Sequence, residues 1–161
     1  MKITLAKSSG FCFGVRRAVD SVFALANQDK KICTYGELIH NKSVTDILEN
    51  QGFFVLDNID DLPKDTTVVI RTHGVGKEIY DKLKKSDCDY IDMTCPFVLK
   101  IHKLVSDASD RGDIVIIIGD INHAEVKGIV GHIKGEKYVV KDLSELKDLL
   151  AEKNGFESDK V

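Results

Sequence analysis

The chain has 161 residues and is 43% hydrophobic, enough to bury a sizeable core in one domain or two small ones. Its formal charge of −3, with no dense Lys/Arg cluster, argues against a general nucleic-acid surface. The longest apolar run, Ile114 to Ile118, is far too short to span a bilayer, and the opening "MKITLAKSSG" turns polar too early for a signal peptide, so a cytoplasmic protein with no membrane partner is expected.

In chain order, short apolar runs alternate with amphipathic stretches. The first strand is expected over Ile3 to Ala6. A helix follows, with Val15, Val19, Val22, Phe23 and Ala26 on one face. Strands are expected over Lys31 to Tyr35 and Phe53 to Leu56, with a helix between them carrying Val44, Ile47 and Leu48. Next come a strand over Thr67 to Arg71, a helix with Ile79, Tyr80 and Leu83, and a strand over Tyr90 to Asp92. A helix with Val98, Ile101, Leu104 and Val105 then leads to strands over Ile114 to Ile118 and Tyr138 to Val140. "NQG" at 50–52 and "RGD" at 111–113 punctuate element ends. This alternation predicts an α/β fold with parallel sheets and right-handed crossovers, in which ligands collect beyond the carboxyl ends of the strands.

The chain also contains a diverged tandem repeat. The separations 95 − 12 (Cys), 119 − 36 (Gly), 123 − 40 (His) and 135 − 52 (Gly) all equal 83. Beyond them "VLDNIDDL" at 55–62 matches "VVKDLSEL" at 139–146 with the offset slipped by one. The repeated unit reads Cys, helix, strand, Gly-x-x-x-His, helix, Gly, strand and Asp-rich loop. The expected architecture is two similar parallel-sheet βαβ lobes, residues 1–94 and 95–161, meeting near Thr94.

In both units the Cys opens a helix and the His follows a strand, so two thiols and two imidazoles should face a shared cleft. Cys12 and Cys95 sit where helix N-termini offer free N–H groups and the positive end of the dipole, a setting that suits a metal-binding thiolate. Gly10 and Gly14 would admit a bulky group close to the backbone, and Phe11 and Phe13 would keep water from it. Pro96 suits a first helical turn beginning just after Cys95. Cys33 and Cys88, beside strand patterns with no His, Gly or helix start next to them, read as small apolar fillers.

His40 in "GELIHN", His73 in "RTHGV" and His123 in "INHAEV" each follow a strand and precede a helix, a constellation suited to an anionic phosphate ligand. His102 and His132 lie within or at the end of helical patterns and read as solvated or structural. Glu125 adds a carboxyl at the helix start after His123. It suits proton delivery, although a plain first-turn acid complementing the dipole has the same appearance. Arg16 is placed to pair with Asp20 one turn on, and the role of Arg17 is open between ion pairing and phosphate binding.

Two cysteines are too few for an ordinary zinc or iron–sulfur site. The first unit runs on into "TTVVIRTHGV", whereas the second reaches "AEKNGFESDKV" where the matching strand is due, so the chain is expected to be an N-terminal piece whose second lobe is truncated before its last strand. The residues leave open an electron-transfer or metal-binding module without a substrate, and a phosphate-binding domain that uses the three histidines without metal.

Taken together, "GFCFGVRRAV", "GELIHN", "RTHGV", "DMTCP" and "HAEVKG" resemble the 4-hydroxy-3-methylbut-2-enyl diphosphate reductase family, the LytB-type reductases of the methylerythritol phosphate route to isoprenoids. The resemblance spans residues 1 to about 146. It implies a three-lobed α/β protein around a 4Fe-4S cluster held by one Cys from each lobe, with Cys12 and Cys95 as two ligands and the third in a lobe absent from this chain. It also implies that His40, His73 and His123 contact the substrate diphosphate, that Glu125 takes part in protonation, and that a ferredoxin- or flavodoxin-type protein donates electrons. Without the third lobe, this piece is expected to be inactive and to lack the cluster. Ala124 stands where the family usually has Pro, which costs rigidity at that helix start and leaves the chemistry in place.

Overall fold

The stretch "TTVVI" has three consecutive β-branched aliphatics behind two threonines, and all five residues are buried, as befits a strand covered on both faces. The computed structural model describes residues 1–26 and 30–153 and places this stretch, β3 (Thr66–Ile70), inside a four-stranded parallel sheet. Its companions are β1 (Lys31–Tyr35), β2 (Phe54–Leu56) and β4 (Tyr90–Asp92), in the order β2-β1-β3-β4. Helix α1 (Phe13–Phe23) leads into the sheet, and α2 (Lys42–Asn50) and α3 (Lys77–Lys85) make the crossovers from β1 to β2 and from β3 to β4.

Because successive side chains of a strand alternate between faces, the sheet supports two cores. Ile32 and Val69 point to the face where Ala18, Val19 and Val22 of α1 meet Val44 and Leu48 of α2. Cys33, Val68 and Ile70 point to the other face, against Ile79 and Leu83 of α3.

A second parallel sheet pairs β5 (Val115–Ile118) with β6 (Lys137–Val140). It is served by α4 (Pro96–Asp110), α5 (Ala124–Val130) and α6 (Leu143–Glu152). Its pairing reproduces that of the first sheet. Cys33 opposite Phe54 becomes Ile116 opposite Tyr138, an offset of 83 on one strand (116 − 33) and 84 on the other (138 − 54). The bond from Gly36 N to Leu56 O recurs as Gly119 N to Val140 O, at 2.9 and 2.8 Å. The one-residue slip seen in the sequence is therefore an extra residue in the connection before β6, and the ladder register is the same in both sheets.

Two expectations do not survive. Ile3 to Ala6 forms no strand: Ile3 and Leu5 are exposed, and the segment has no ladder partner among the described residues, without which an extended stretch gains nothing over solvation. Cys88 is no buried filler; it is half-exposed, with its thiol directed at Ser86 O. Cys33 is one, fully buried, and burial together with the neighbouring Cys88 pushes its thiol up to about 11. The last part of "AEKNGFESDKV", from residue 154, lies outside the described residues.

Candidate functional site

Every residue of the candidate site except Cys12 follows the carboxyl end of a strand. His40 comes after β1, His73 after β3, Cys95 after β4 and His123 after β5, which is where parallel α/β sheets leave room for ligands. Three of these loops are bonded to one another. Thr72 N and Oγ1 both donate to Leu38 O, at 3.2 and 3.1 Å, and Cys95 N donates to Thr72 O at 2.9 Å. The segments carrying His40, His73 and Cys95 are thereby held as one edge.

Cys12 and Cys95 are the N-cap residues of α1 and α4, and neither thiol is used as a cap acceptor. Pro96 occupies the first turn of α4, where its missing N–H costs nothing. Both cysteines are free thiols, Cys12 exposed and Cys95 half-buried. The two helix starts meet at Gly14: a Cβ built there would lie 2.6 Å from Cys95 Sγ, so only glycine lets the first turn of α1 approach this thiol.

Arg17 fastens the same junction. Its Nη2 donates to Met93 O and Thr94 O, at 3.2 and 2.8 Å, tying α1 to the turn that presents Cys95. That settles the open reading of the arginine pair for Arg17, which is occupied by backbone carbonyls; Arg16 forms no ion pair with Asp20, and its guanidinium lies beside Gly10. The sequence gives no sign of Arg17's target, because the carbonyls it binds lie 76 and 77 residues away. Nor does it reveal Asp92, whose carboxylate accepts from Thr94 N and Oγ1 and from Tyr80 OH, shaping the turn before Cys95.

His40, His73 and His123 converge. Their ring centroids are 4.5 Å apart for His40 and His73, 5.8 Å for His40 and His123, and 5.7 Å for His73 and His123. His123 caps α5, its Nδ1 accepting from Glu125 N at 3.3 Å, which leaves Nε2 to carry the ring proton and donate outward. His40 Nδ1 lies 3.6 Å from a Glu37 carboxylate oxygen. Burial, helped by the neighbouring His40, Arg71 and His123, pushes His73 down to about 4, so it is neutral near pH 7. Its Nδ1 is buried without a protein partner. Glu125 is half-buried in the first turn of α5, next to this cluster in sequence. His102 and His132 stand apart from the three: they stack on each other at 4.1 Å, and His102 is only 3% exposed, so it is not a solvated residue.

Among the described residues no three His, Cys, Asp or Glu side chains come together as a metal site. Cys12 and Cys95 are two uncommitted thiols at adjacent helix starts, a donor set that fits two corners of an iron–sulfur cluster and leaves further corners to other residues. A groove of about 580 Å³ opens at the opposite end of the first sheet, lined by Lys30, Asp65, Asp87 and Cys88 among others, far from every residue of this constellation.

The model of the LytB protein family matches residues 3–159. This chain belongs to the LytB family. Among LytB relatives, the 4-hydroxy-3-methylbut-2-enyl diphosphate reductase of Campylobacter hominis is 44% identical over 150 residues, covering 92% of this chain and 53% of that protein. The reductase of Campylobacter fetus subsp. fetus is 45% identical over 147 residues, covering 91% and 51%. A solved structure of (E)-4-hydroxy-3-methyl-but-2-enyl diphosphate reductase, the terminal enzyme of the non-mevalonate pathway, aligns with TM-score 0.78 at 35% identity, over 92% of this chain and 54% of that one. The Plasmodium falciparum reductase structure aligns with TM-score 0.82 at 28% identity, over 88% and 45%. The chain thus spans about half the length of the LytB proteins it matches. No helix among the described residues is long and apolar enough to cross a membrane.

Proposed function

We propose that this chain supplies two lobes, residues 1–94 and 95–161, of a LytB reductase that removes the allylic hydroxyl of 4-hydroxy-3-methylbut-2-enyl diphosphate to give isopentenyl and dimethylallyl diphosphates. The observation that carries the reading is the convergence of three imidazoles, within 4.5 to 5.8 Å of one another, at the same strand ends that present Cys95. Imidazoles on separate loops can each donate a hydrogen bond to a different phosphate oxygen, which fixes an anion in orientation as well as in place.

In this reading Cys12 and Cys95 hold two corners of a 4Fe-4S cluster, and a third thiolate comes from a lobe outside these residues. The cluster, when bound, supplies electrons and a Lewis-acidic iron. The chain's own residues do the rest. His123 donates from Nε2, its other nitrogen being engaged by Glu125 N. His73 enters neutral and, once an anion sits against it, favours its protonated form. His40, exposed, closes the set from the β1 side. Glu125 delivers a proton to the reacting fragment. The backbone links from Leu38 through Thr72 to Cys95 keep the anion-binding loops and the thiol in one frame. Electrons arrive from a ferredoxin- or flavodoxin-type protein, and the enzyme works in the cytoplasm.

The test is anaerobic reconstitution with iron and sulfide, followed by reduction of 4-hydroxy-3-methylbut-2-enyl diphosphate with a strong artificial donor, for this chain alone and for this chain joined to a third LytB lobe. The joined protein should gain visible cluster absorption and turn over, and the single chain should be silent. A joined protein with full absorption and no turnover would overturn the proposed reaction. Turnover by the single chain at a comparable rate would overturn the need for a third lobe.

A further inference from the structure

His102 lies two turns into the helix that Cys95 begins, is 97% buried by its 3% exposure, and has both ring nitrogens without a protein partner. A polar ring in that state costs stability, so an apolar residue of similar size would be the simpler filler. Its surroundings explain the shape of the site it fills. A Cβ on Gly74, the residue after His73, would lie 2.6 Å from His102 Cε1. A Cβ on Gly128, in the helix that His123 caps, would lie 3.4 Å from His102 Nε2 and 3.5 Å from His73 O. Two glycines therefore let the His73 loop and α5 close onto the same imidazole.

The same three segments are sewn together around it. His132, stacked on His102, bonds Val75 O through Nε2 at 3.0 Å. Lys77 N donates to Gly131 O at 3.3 Å, and Lys77 Nζ donates to Ser106 Oγ of α4 at 2.8 Å. The loop of residues 73–77 and α5 thus form one body, and His102 is where that body rests on the Cys95 helix.

We propose that His102 is a positioning residue that sets His73 and His123 at their mutual spacing and at a fixed distance from the Cys95 helix, with His132 as its brace. The proposal rests on the reading of the three-histidine cluster as the anion site, but its consequence for His73 is independent of any ligand. Burial holds both stacked rings below the usual histidine range, and the charged or titratable groups facing them are Asp92 from β4 and Tyr80, Lys77 and Glu78 from α3. Near pH 7 the brace is uncharged.

The experiment follows the Cε1–H resonances of the five histidines by NMR in the native chain and in His102→Ala, His102→Gln and His132→Ala, through a pH titration and a titration with inorganic pyrophosphate. In folded variants the His73 midpoint should rise by about one pH unit, a tenfold gain in proton affinity, as its loop loosens. Ring-to-ring contacts between His73 and His123 should weaken, and the pyrophosphate dissociation constant should rise about tenfold. The native chain failing to bind pyrophosphate while the His73 midpoint still moves in the variants would refute the anion reading and uphold the positioning role. Folded variants with unchanged His73 midpoint and ring contacts would overturn the proposal, and so would unfolding of all three variants, which would make the ring a general requirement of the fold.

Discussion

The contact between Gly14 and Cys95 gives the most direct mechanical handle on the candidate site. Gly14→Ala places a methyl 2.6 Å from Cys95 Sγ and 3.3 Å from its Cβ, roughly 1 Å inside the ~3.5 Å at which heavy atoms begin to pack without repulsion. Either the Cys95 side chain rotates off its preferred rotamer or α1 backs away from α4. Overpacking of this kind costs about 1–3 kcal/mol. The better helix propensity of alanine returns at most about 1 kcal/mol, and less so near a helix start. The net expectation is a loss of about 1–2 kcal/mol in urea unfolding, together with faster reaction of Cys95 with a thiol reagent as its cover lifts. Gly52→Ala serves as the control: nothing lies within 4 Å of its Cβ, so its only cost is the strain of φ +89, and Cys95 reactivity should not change. A Gly14→Ala protein as stable as the native chain, with unaltered Cys95 reactivity, would refute the claim that the two helix starts are pressed together at this thiol.

Arg17→Ala removes two hydrogen bonds from a charged group and leaves the carbonyls of buried Met93 and Thr94 short of a donor, so urea unfolding should show a loss of about 2 kcal/mol, partly recovered in Arg17→Lys. Acid sensitivity follows from His73 and His102, both held at about 4 in the fold against 6.5 in an unfolded chain. Between those values the unfolded state binds more protons, so stability is complete above about pH 6.5 and falls as pH drops toward 4. The loss is on the order of 3 kcal/mol at most for buried His102 and less for partly exposed His73; urea midpoints at pH 7 and 4.5 measure it, and the drop should shrink in His102→Gln. His40→Ala and His123→Ala should each weaken pyrophosphate binding by about 1–3 kcal/mol in calorimetry, with the fold intact.

Much of this was legible in the chain because it depends on local pattern. Lys31 to Tyr35 and Tyr90 to Asp92 are strands with the bounds their apolar runs suggest. The shared offset of 83 between Cys12 and Cys95 and between His40 and His123 becomes repeated ladder register. The three histidines that follow strands are the three that meet: His40 and His73 because β1 and β3 end on one edge of the same sheet, and His123 because α5, which it caps, is bonded to the loop after His73 through Lys77 N and Gly131 O. Tertiary partners were not legible. Ile3 to Ala6 has the apolar pattern of a strand yet lacks a neighbour to pair with among the described residues. Arg17 looks like any solvated helix cation until Met93 and Thr94 are brought to it, and the choice between a solvated and a structural His102 is made only when Gly74 and Gly128 close over it.

The central claim is that His40, His73 and His123 form one anion site beside the two thiols. It is tested most directly by titrating the chain with inorganic pyrophosphate while following its histidine Cε1–H resonances and the alkylation rates of Cys12 and Cys95. Saturable shifts of His40, His73 and His123 are expected along a single binding curve, with little movement of His102 and His132 and slower alkylation of Cys12 and Cys95 at saturation. Shifts scattered over lysine-rich surface with the three histidines unmoved, or histidine shifts with no effect on either thiol, would contradict it.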